Sequence, residues 1–257
     1  MKYFYITVVF LASIMIGCGS GASSSSSSDS SGGGSGKGGS MARFAINGDK
    51  LYTLNNRYIS VFDIKEADAP RPEARQPVDF DVETLYSYKK NLYVGAESGV
   101  YIYDENLTKI GEFTHTKSCD PVVVQDDVAF VTLNVGSTCR LSSGENTLQI
   151  LDVKNPLAPR FITKKEMWNP KGLGIDGKNL FVCDGSAGLK VFDVNITQHS
   201  ETNVTEVALS YKLSSSIADV DCYDVIAHKN LLIVSNGDDV RQFDYSHFPM
   251  AELGKIK

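Results

Sequence analysis

The sequence predicts an all-β chain: a β-propeller of about five four-stranded antiparallel blades. Three observations carry that expectation. One phrase is written nearly twice, as KNLYVGAESGVYIYD at 90–104 and KNLFVCDGSAGLKVFD at 178–193. A hydrophobic pair followed by aspartate recurs as Val61-Phe62-Asp63, Ile102-Tyr103-Asp104, Ile150-Leu151-Asp152 and Val191-Phe192-Asp193, and more weakly as Gln242-Phe243-Asp244. These aspartates stand 41, 48, 41 and 51 residues apart, the length of a repeating supersecondary unit.

Each unit has the same internal order. An inner strand comes first: Phe44–Ile46, Thr84–Tyr86, Val122–Val124, Gly172–Ile175 and Asp224–Ile226. A polar turn follows (NGDK, YKKN, QDD, DGKN, HKN), rich in residues that tolerate positive φ and so suit tight hairpins. Second strands are expected at Leu51–Leu54, Leu92–Val94, Val128–Val131, Leu180–Val182 and Leu231–Val234. The third strand alternates, with Leu189 and Val191 on one face and Lys190 and Phe192 on the other, which is the period of a strand. Fourth strands are clearest at Leu107–Phe113, Arg160–Lys164 and Ala251–Lys257. The blades then run approximately 41–80, 81–116, 117–167, 168–216 and 217–257, closed edge to edge. Loops at Asn134–Asn146 and Asn195–Glu206 account for the two long spacings.

Composition bounds the function. The chain has 257 residues, 42% of them hydrophobic, so it can bury a sizeable core. A net charge of -6 and an isoelectric point near 5.3 argue against a nucleic-acid partner and against electrostatic adhesion to anionic lipid. Membrane attachment has another source. Residues 1–18 read MKYFYITVVFLASIMIGC: a lysine, then an apolar run too short to span a bilayer and suited to a signal peptide. Met15-Ile16-Gly17-Cys18 resembles a bacterial lipobox, which implies lipidation of Cys18; Gly19 in the next position, by the enterobacterial pattern, implies the outer membrane. Residues 19–40 are a Ser/Gly-rich flexible linker with a mean reach of roughly 25 Å. The expectation is a cell-envelope protein held at the membrane through its lipid anchor alone.

The runs NTLQILDVKNPLAPRFI and NLFVCDGSAGLKVFDV resemble the LVIVD-repeat group of exported bacterial propellers, most specifically at Asp152–Pro159. The resemblance covers roughly residues 41–257. It implies a fold and an export habit, and no single chemistry.

Four cysteines follow Cys18. Cys119 and Cys139 fall at one end of the third blade, where a disulfide is feasible; Cys183 and Cys222 lie on adjacent blades, as a disulfide or as two buried thiols. The aspartate that closes each repeat is expected to accept hydrogen bonds from the next turn's backbone and not to hold a metal, since one carboxylate per blade does not converge.

Propellers bind ligands mostly on the face that carries the blade-to-blade loops and the loops between second and third strands. Here those loops are acidic: Asp79, Asp81, Asp120, Asp219, Asp221 and Asp224 in the first set, Glu97, Asp184, Asp238 and Asp239 in the second. Such a face holds a cation such as calcium, serves as an acid/base pair, or is a solvated face of turn-forming aspartates; no other cofactor is called for. His115, Trp168 and Lys171 also lie in blade-to-blade loops, and Trp168, the single tryptophan, either packs over the next blade or anchors a sugar or a protein partner. No P-loop, dinucleotide fingerprint, nucleophile elbow or HExxH occurs. The Asn-x-Thr sequons at Asn106, Asn195 and Asn203 read as chance in a bacterial lipoprotein. The leading expectation is a non-enzymatic binding scaffold for an envelope protein or glycan; the alternative is a lactonase-like hydrolase using a cation on the acidic loops.

Overall fold

The computed structural model describes residues 39–55, 57–78, 82–114, 121–135, 144–201 and 204–257, without the side chains of 198–207. These residues form five four-stranded antiparallel sheets in a ring, with no helix among them. Blade 1 comprises β1 (Phe44–Asn47), β2 (Lys50–Asn55), β3 (Tyr58–Asp63) and β4 (Arg71–Pro77). Blade 2 has β5 (Val82–Tyr88), β6 (Asn91–Ala96), β7 (Gly99–Tyr103) and β8 (Lys109–Thr114). Blade 3 has β9 (Val122–Gln125), β10 (Val128–Leu133), β11 (Thr147–Asp152) and β12 (Arg160–Glu166). Blade 4 has β13 (Leu173–Asp176), β14 (Asn179–Cys183), β15 (Leu189–Glu201) and β16 (Val204–Ile217). Blade 5 has β17 (Asp224–His228), β18 (Leu231–Ser235), β19 (Val240–Asp244) and β20 (Ala251–Ile256). Strands pair in chain order within every blade.

The first hairpin of each blade turns in two residues, and left-handed φ falls where the turn chemistry placed it: Gly48, Lys89, Asp126 and Asp127, Gly177, Lys229 and Asn230. These turns also tie neighbouring blades together. Asn47 Nδ2 donates to the Lys89 carbonyl (2.7 Å), Lys89 pairs with Asp127 (2.5 Å), Gln125 Nε2 donates to the Gly177 carbonyl (2.7 Å), and the Lys229 N–H donates to Asp176 (2.9 Å).

The repeated hydrophobic pair has a structural meaning that the sequence did not disclose. In all five blades the pairing of third and fourth strands shifts register at that pair: Val61/Phe62, Ile102/Tyr103, Ile150/Leu151, Val191/Phe192 and Gln242/Phe243. The fourth strand carries the extra residue of a β-bulge, which increases local twist and lets the outer strand follow the ring. The two members of the pair then serve opposite faces. Phe192 and Leu180 pack toward blade 3, while Val191 and Phe181 pack toward blade 5. Four apolar clusters fill the seams between blades 1 and 2, 2 and 3, 3 and 4, and 4 and 5.

The closing aspartates behave as expected in four blades. Asp63, Asp104, Asp152 and Asp244 each accept a backbone N–H two residues on, from Lys65, Asn106, Lys154 and Ser246 (2.7–2.9 Å). Asp104 also accepts from Thr108, and Leu107 adopts a left-handed φ of 62°, so the expected strand at Leu107 begins at Lys109 instead. In the DVKNPLAP run, Asp152 additionally pairs with Arg160 (2.6 Å), and the Pro156–Leu157 stretch lies so close to Gly111 of blade 2 that a Cβ there would overlap the Pro156 carbonyl.

Asp193 departs from the pattern. It is exposed and lies inside β15, opposite Lys212, because β15 and β16 continue as a ribbon to the Glu201–Val204 pair. The loop expected at Asn195–Glu206 is therefore a hairpin extension; Thr and Val on both strands favour continued pairing over a coil.

Candidate functional site

Asp184 organises the loop face at the junction of blades 3 and 4. It follows β14 and begins the tight turn Asp184–Gly188, in which the Asp184 N–H donates to the Gly188 carbonyl (2.9 Å). Its buried carboxylate accepts the backbone N–H groups of Trp168 (2.9 Å) and Asn169 (2.8 Å) through one oxygen. Asn134 fixes the same loop from blade 3, donating to Asn169 Oδ1 (2.5 Å) and to the Pro170 carbonyl (2.7 Å). The result is a loop held rigidly by its backbone that presents its side chain outward: Trp168 is 69% exposed.

Beside Trp168 lies a cavity of about 270 Å³, lined by Met167, Phe192 and Leu213 with Lys165 and Lys190 at its polar edge, and bounded by Glu166 and Asp184. Lys190 is oriented by donating to the Ala187 carbonyl (2.6 Å). The volume is just below the range of pockets for drug-sized ligands, so it suits one ring or one side chain. An exposed indole, an apolar floor and two cations form a site that stacks and orients.

Nearer the ring axis, a second platform forms where the Lys171 ammonium sits 5.0 Å from the centre of the Tyr223 ring, which is 46% exposed. A disulfide between Cys183 and Cys222 (Cα–Cα 4.8 Å) pins the end of β14, whose Cys183 carbonyl accepts the Lys171 N–H (2.8 Å), to the segment that carries Tyr223, so of the two readings of this pair the bonded one holds. Asp221, next to it, is exposed.

The remaining acidic residues are largely committed. Asp224 lies at the axis, where it accepts the Ser40 hydroxyl (3.3 Å) and its neighbour's N–H at Val225 (2.9 Å). Burial pushes its carboxyl up to about 6, opposed by those donors and by the backbone N–H groups of Met41 and Ser40. Gly39 and Gly172 flank it so closely that a Cβ on either would overlap the carboxylate. Ser40 in turn accepts the Leu173 N–H (2.7 Å), and the Ala42 carbonyl accepts from Leu85 (2.9 Å), so residues 39–42 bridge inner strands of blades 2, 4 and 5. Asp239 is buried against Lys255 and Arg241; the hydrogen bond from Lys255 holds its carboxyl below the usual range. Asp219 faces Arg241 at 3.7 Å. Among the described residues no group of three or more His, Cys, Asp or Glu side chains could hold a metal ion. Cys18, Asp79, Asp81, His115, Cys119, Asp120 and Cys139 lie outside the described residues.

The sequence thus marked Trp168, Lys171, Asp184 and Asp224 on this face, and the structure brings the first three into one sector while Asp224 belongs to the axis. It missed the buried Phe192 and the exposed Leu213, because their meeting beside Trp168 depends on how blade 4 twists past the bulge.

No protein-family model matches the chain, and no curated protein matches it. Solved structures do. A hypothetical selenium-binding protein from Sulfolobus tokodaii aligns at 12% identity with a TM-score of 0.55, over 82% of this chain and 60% of that one. The Pseudomonas aeruginosa periplasmic gluconolactonase PpgL aligns at 12% and 0.54, over 81% and 67%. Apo AztD from Citrobacter koseri aligns at 11% and 0.52, over 82% and 62%. At such identities the likeness concerns the fold alone. The chain spans about three fifths of the length of the first structures it matches.

Proposed function

We propose that the protein is a lipid-anchored lipoprotein of the bacterial envelope, a member of the LVIVD-repeat group, whose propeller is a non-enzymatic binding scaffold. The observation that carries this reading is the Trp168 groove. Two separate anchors, Asp184 and Asn134, immobilise the loop that displays the indole, so binding there loses little conformational freedom. Cys18 and the Ser/Gly linker would hold the ring near the membrane with a free approach to that face. The occupant is one sugar ring of an envelope glycan, or one side chain of an envelope protein, stacked on Trp168 with Lys165 and Lys190 as polar partners.

Trp168 is the single tryptophan, so its emission reports on this site and nothing else. Soluble cell-wall glycan fragments titrated into the protein should shift or quench that emission saturably, and Leu213→Asp should abolish the response. An unchanged emission with both glycan fragments and solubilised envelope proteins would remove the groove as the binding site.

A further inference from the structure

The Trp168 groove and the Lys171–Tyr223 platform share one rigid mount. Residues 183–185, at the end of β14 and in the turn after it, hold both. The Asp184 carboxylate accepts the Trp168 N–H (2.9 Å), and the neighbouring Cys183 carbonyl accepts the Lys171 N–H (2.8 Å). From the other side, the disulfide joins Cys222 to Cys183, and the Cys222 N–H donates to the Gly185 carbonyl (3.1 Å). The Tyr223 carbonyl then accepts the Gly172 N–H (2.9 Å). Two exposed rings, Trp168 at 69% and Tyr223 at 46%, are fixed in this way in one sector of the loop face. Trp168 and Lys171 are three residues apart in the chain, and three residues reach at most about 10–11 Å. Two linked sugar rings cover such a span.

Each aromatic ring has an ammonium group beside it. Lys165 and Lys190 edge the groove at Trp168, and Lys171 sits 5.0 Å from the centre of the Tyr223 ring. All three lysines are half-buried, and none is paired with a carboxylate among the described residues. Lys50, Lys89, Lys109, Lys164 and Lys255, by contrast, each lie against one. Of the acids nearby, Asp184 already accepts two backbone N–H groups, which leaves the exposed Glu166 and Asp221 against three ammonium groups. This sector is therefore cationic on a chain whose net charge is -6.

Taking the Trp168 groove as the binding site, we infer that its ligand is an acidic glycan chain, one ring stacked on Trp168 and the next on Tyr223. Carboxylates on the sugars meet Lys165 and Lys190 at the first platform and Lys171 at the second. A repeating ligand matches a repeated arrangement of ring and cation, whereas a single protein side chain would fill the first platform only. Both rings are held by backbone bonds before the ligand arrives, so stacking costs little ordering. The ammonium groups set the sign of the ligand and make its affinity fall as salt rises.

Trp168 emission of the full chain in mild detergent tests this with two probes. One is the peptide-free tetrasaccharide of alternating N-acetylglucosamine and N-acetylmuramic acid; the other is the N-acetylglucosamine tetramer, which has the same linkage and no carboxylate. The acidic probe should shift the emission saturably and bind about tenfold or more tighter than the neutral one, with the gap closing in high salt. Tyr223→Ala and Lys171→Gln should each weaken the acidic tetrasaccharide about tenfold while leaving N-acetylmuramic acid alone unchanged, which also certifies that the Trp168 end of each variant is intact. Equal binding of the two tetramers, or an acidic tetramer that ignores both substitutions, would overturn the inference and leave the groove as a site. An emission that answers to solubilised envelope proteins and to neither glycan would do the same. An emission unmoved by glycans and envelope proteins alike would remove the groove itself.

Discussion

Asp224 should make the propeller lose stability as pH rises from about 4 to about 6.5, and Asp224→Asn should remove that loss. In the fold the carboxyl titrates at about 6, against 3.8 for an unperturbed aspartate, because burial at the axis penalises its charged form more than its donors stabilise it. Below pH 4 the group is protonated in both folded and unfolded chains and the folded state has its full advantage. Between 4 and 6 the unfolded chain releases its proton first, which favours unfolding. Above 6.5 both are ionised and the loss is complete. A difference of about two pKa units amounts to about 3 kcal/mol. For a domain of this size that is about 6–12 °C in melting midpoint.

The assay is thermal unfolding of native protein and Asp224→Asn across pH 4 to 7.5, read as the difference between the two. Asparagine keeps the shape but turns one acceptor into a donor facing the Ser40–Met41 backbone, which adds an offset that does not vary with pH. The pH-dependent part should appear as a difference that moves by about 3 kcal/mol in favour of asparagine as pH rises. Two curves that stay parallel across the window would refute the placement of a buried, poorly solvated carboxyl at the axis.

Replacing Cys183 and Cys222 by serine opens a cross-link spanning 39 residues, which should cost about 4 kcal/mol in urea unfolding by the chain-entropy relation. Gly188→Ala should destabilise by about 1–3 kcal/mol or more, since φ there is 88° and a Cβ would overlap the Ile217 carbonyl. Asp184→Ala leaves the Trp168 and Asn169 N–H groups without their acceptor; a loss of about 1–3 kcal/mol is expected, with a change in acrylamide quenching of Trp168 that a remote structural defect would not cause. A melting curve with calcium and then with a chelator tests the alternative hydrolase reading: a midpoint unmoved by excess calcium supports the scaffold, while binding at a hundredfold excess over Kd would stabilise by about 2.7 kcal/mol.

Much of this architecture was legible in the residues. The spacing of the aspartates, the two-residue turns and the alternation in LKVF specify the five blades, because period and turn chemistry are local properties of the chain. The role of Asp63, Asp104, Asp152 and Asp244 was legible for the same reason: each bonds a backbone N–H two residues away. The hairpin at β15–β16 was not, since a polar Thr/Ser-rich stretch reads as a loop until its partner strand is in place. The bulge at each hydrophobic pair and the gathering of Phe192 and Leu213 beside Trp168 depend on contacts between residues far apart in the chain. Local pattern fixes what each blade is, whereas the twist and packing of whole sheets decide which of its side chains a partner can reach.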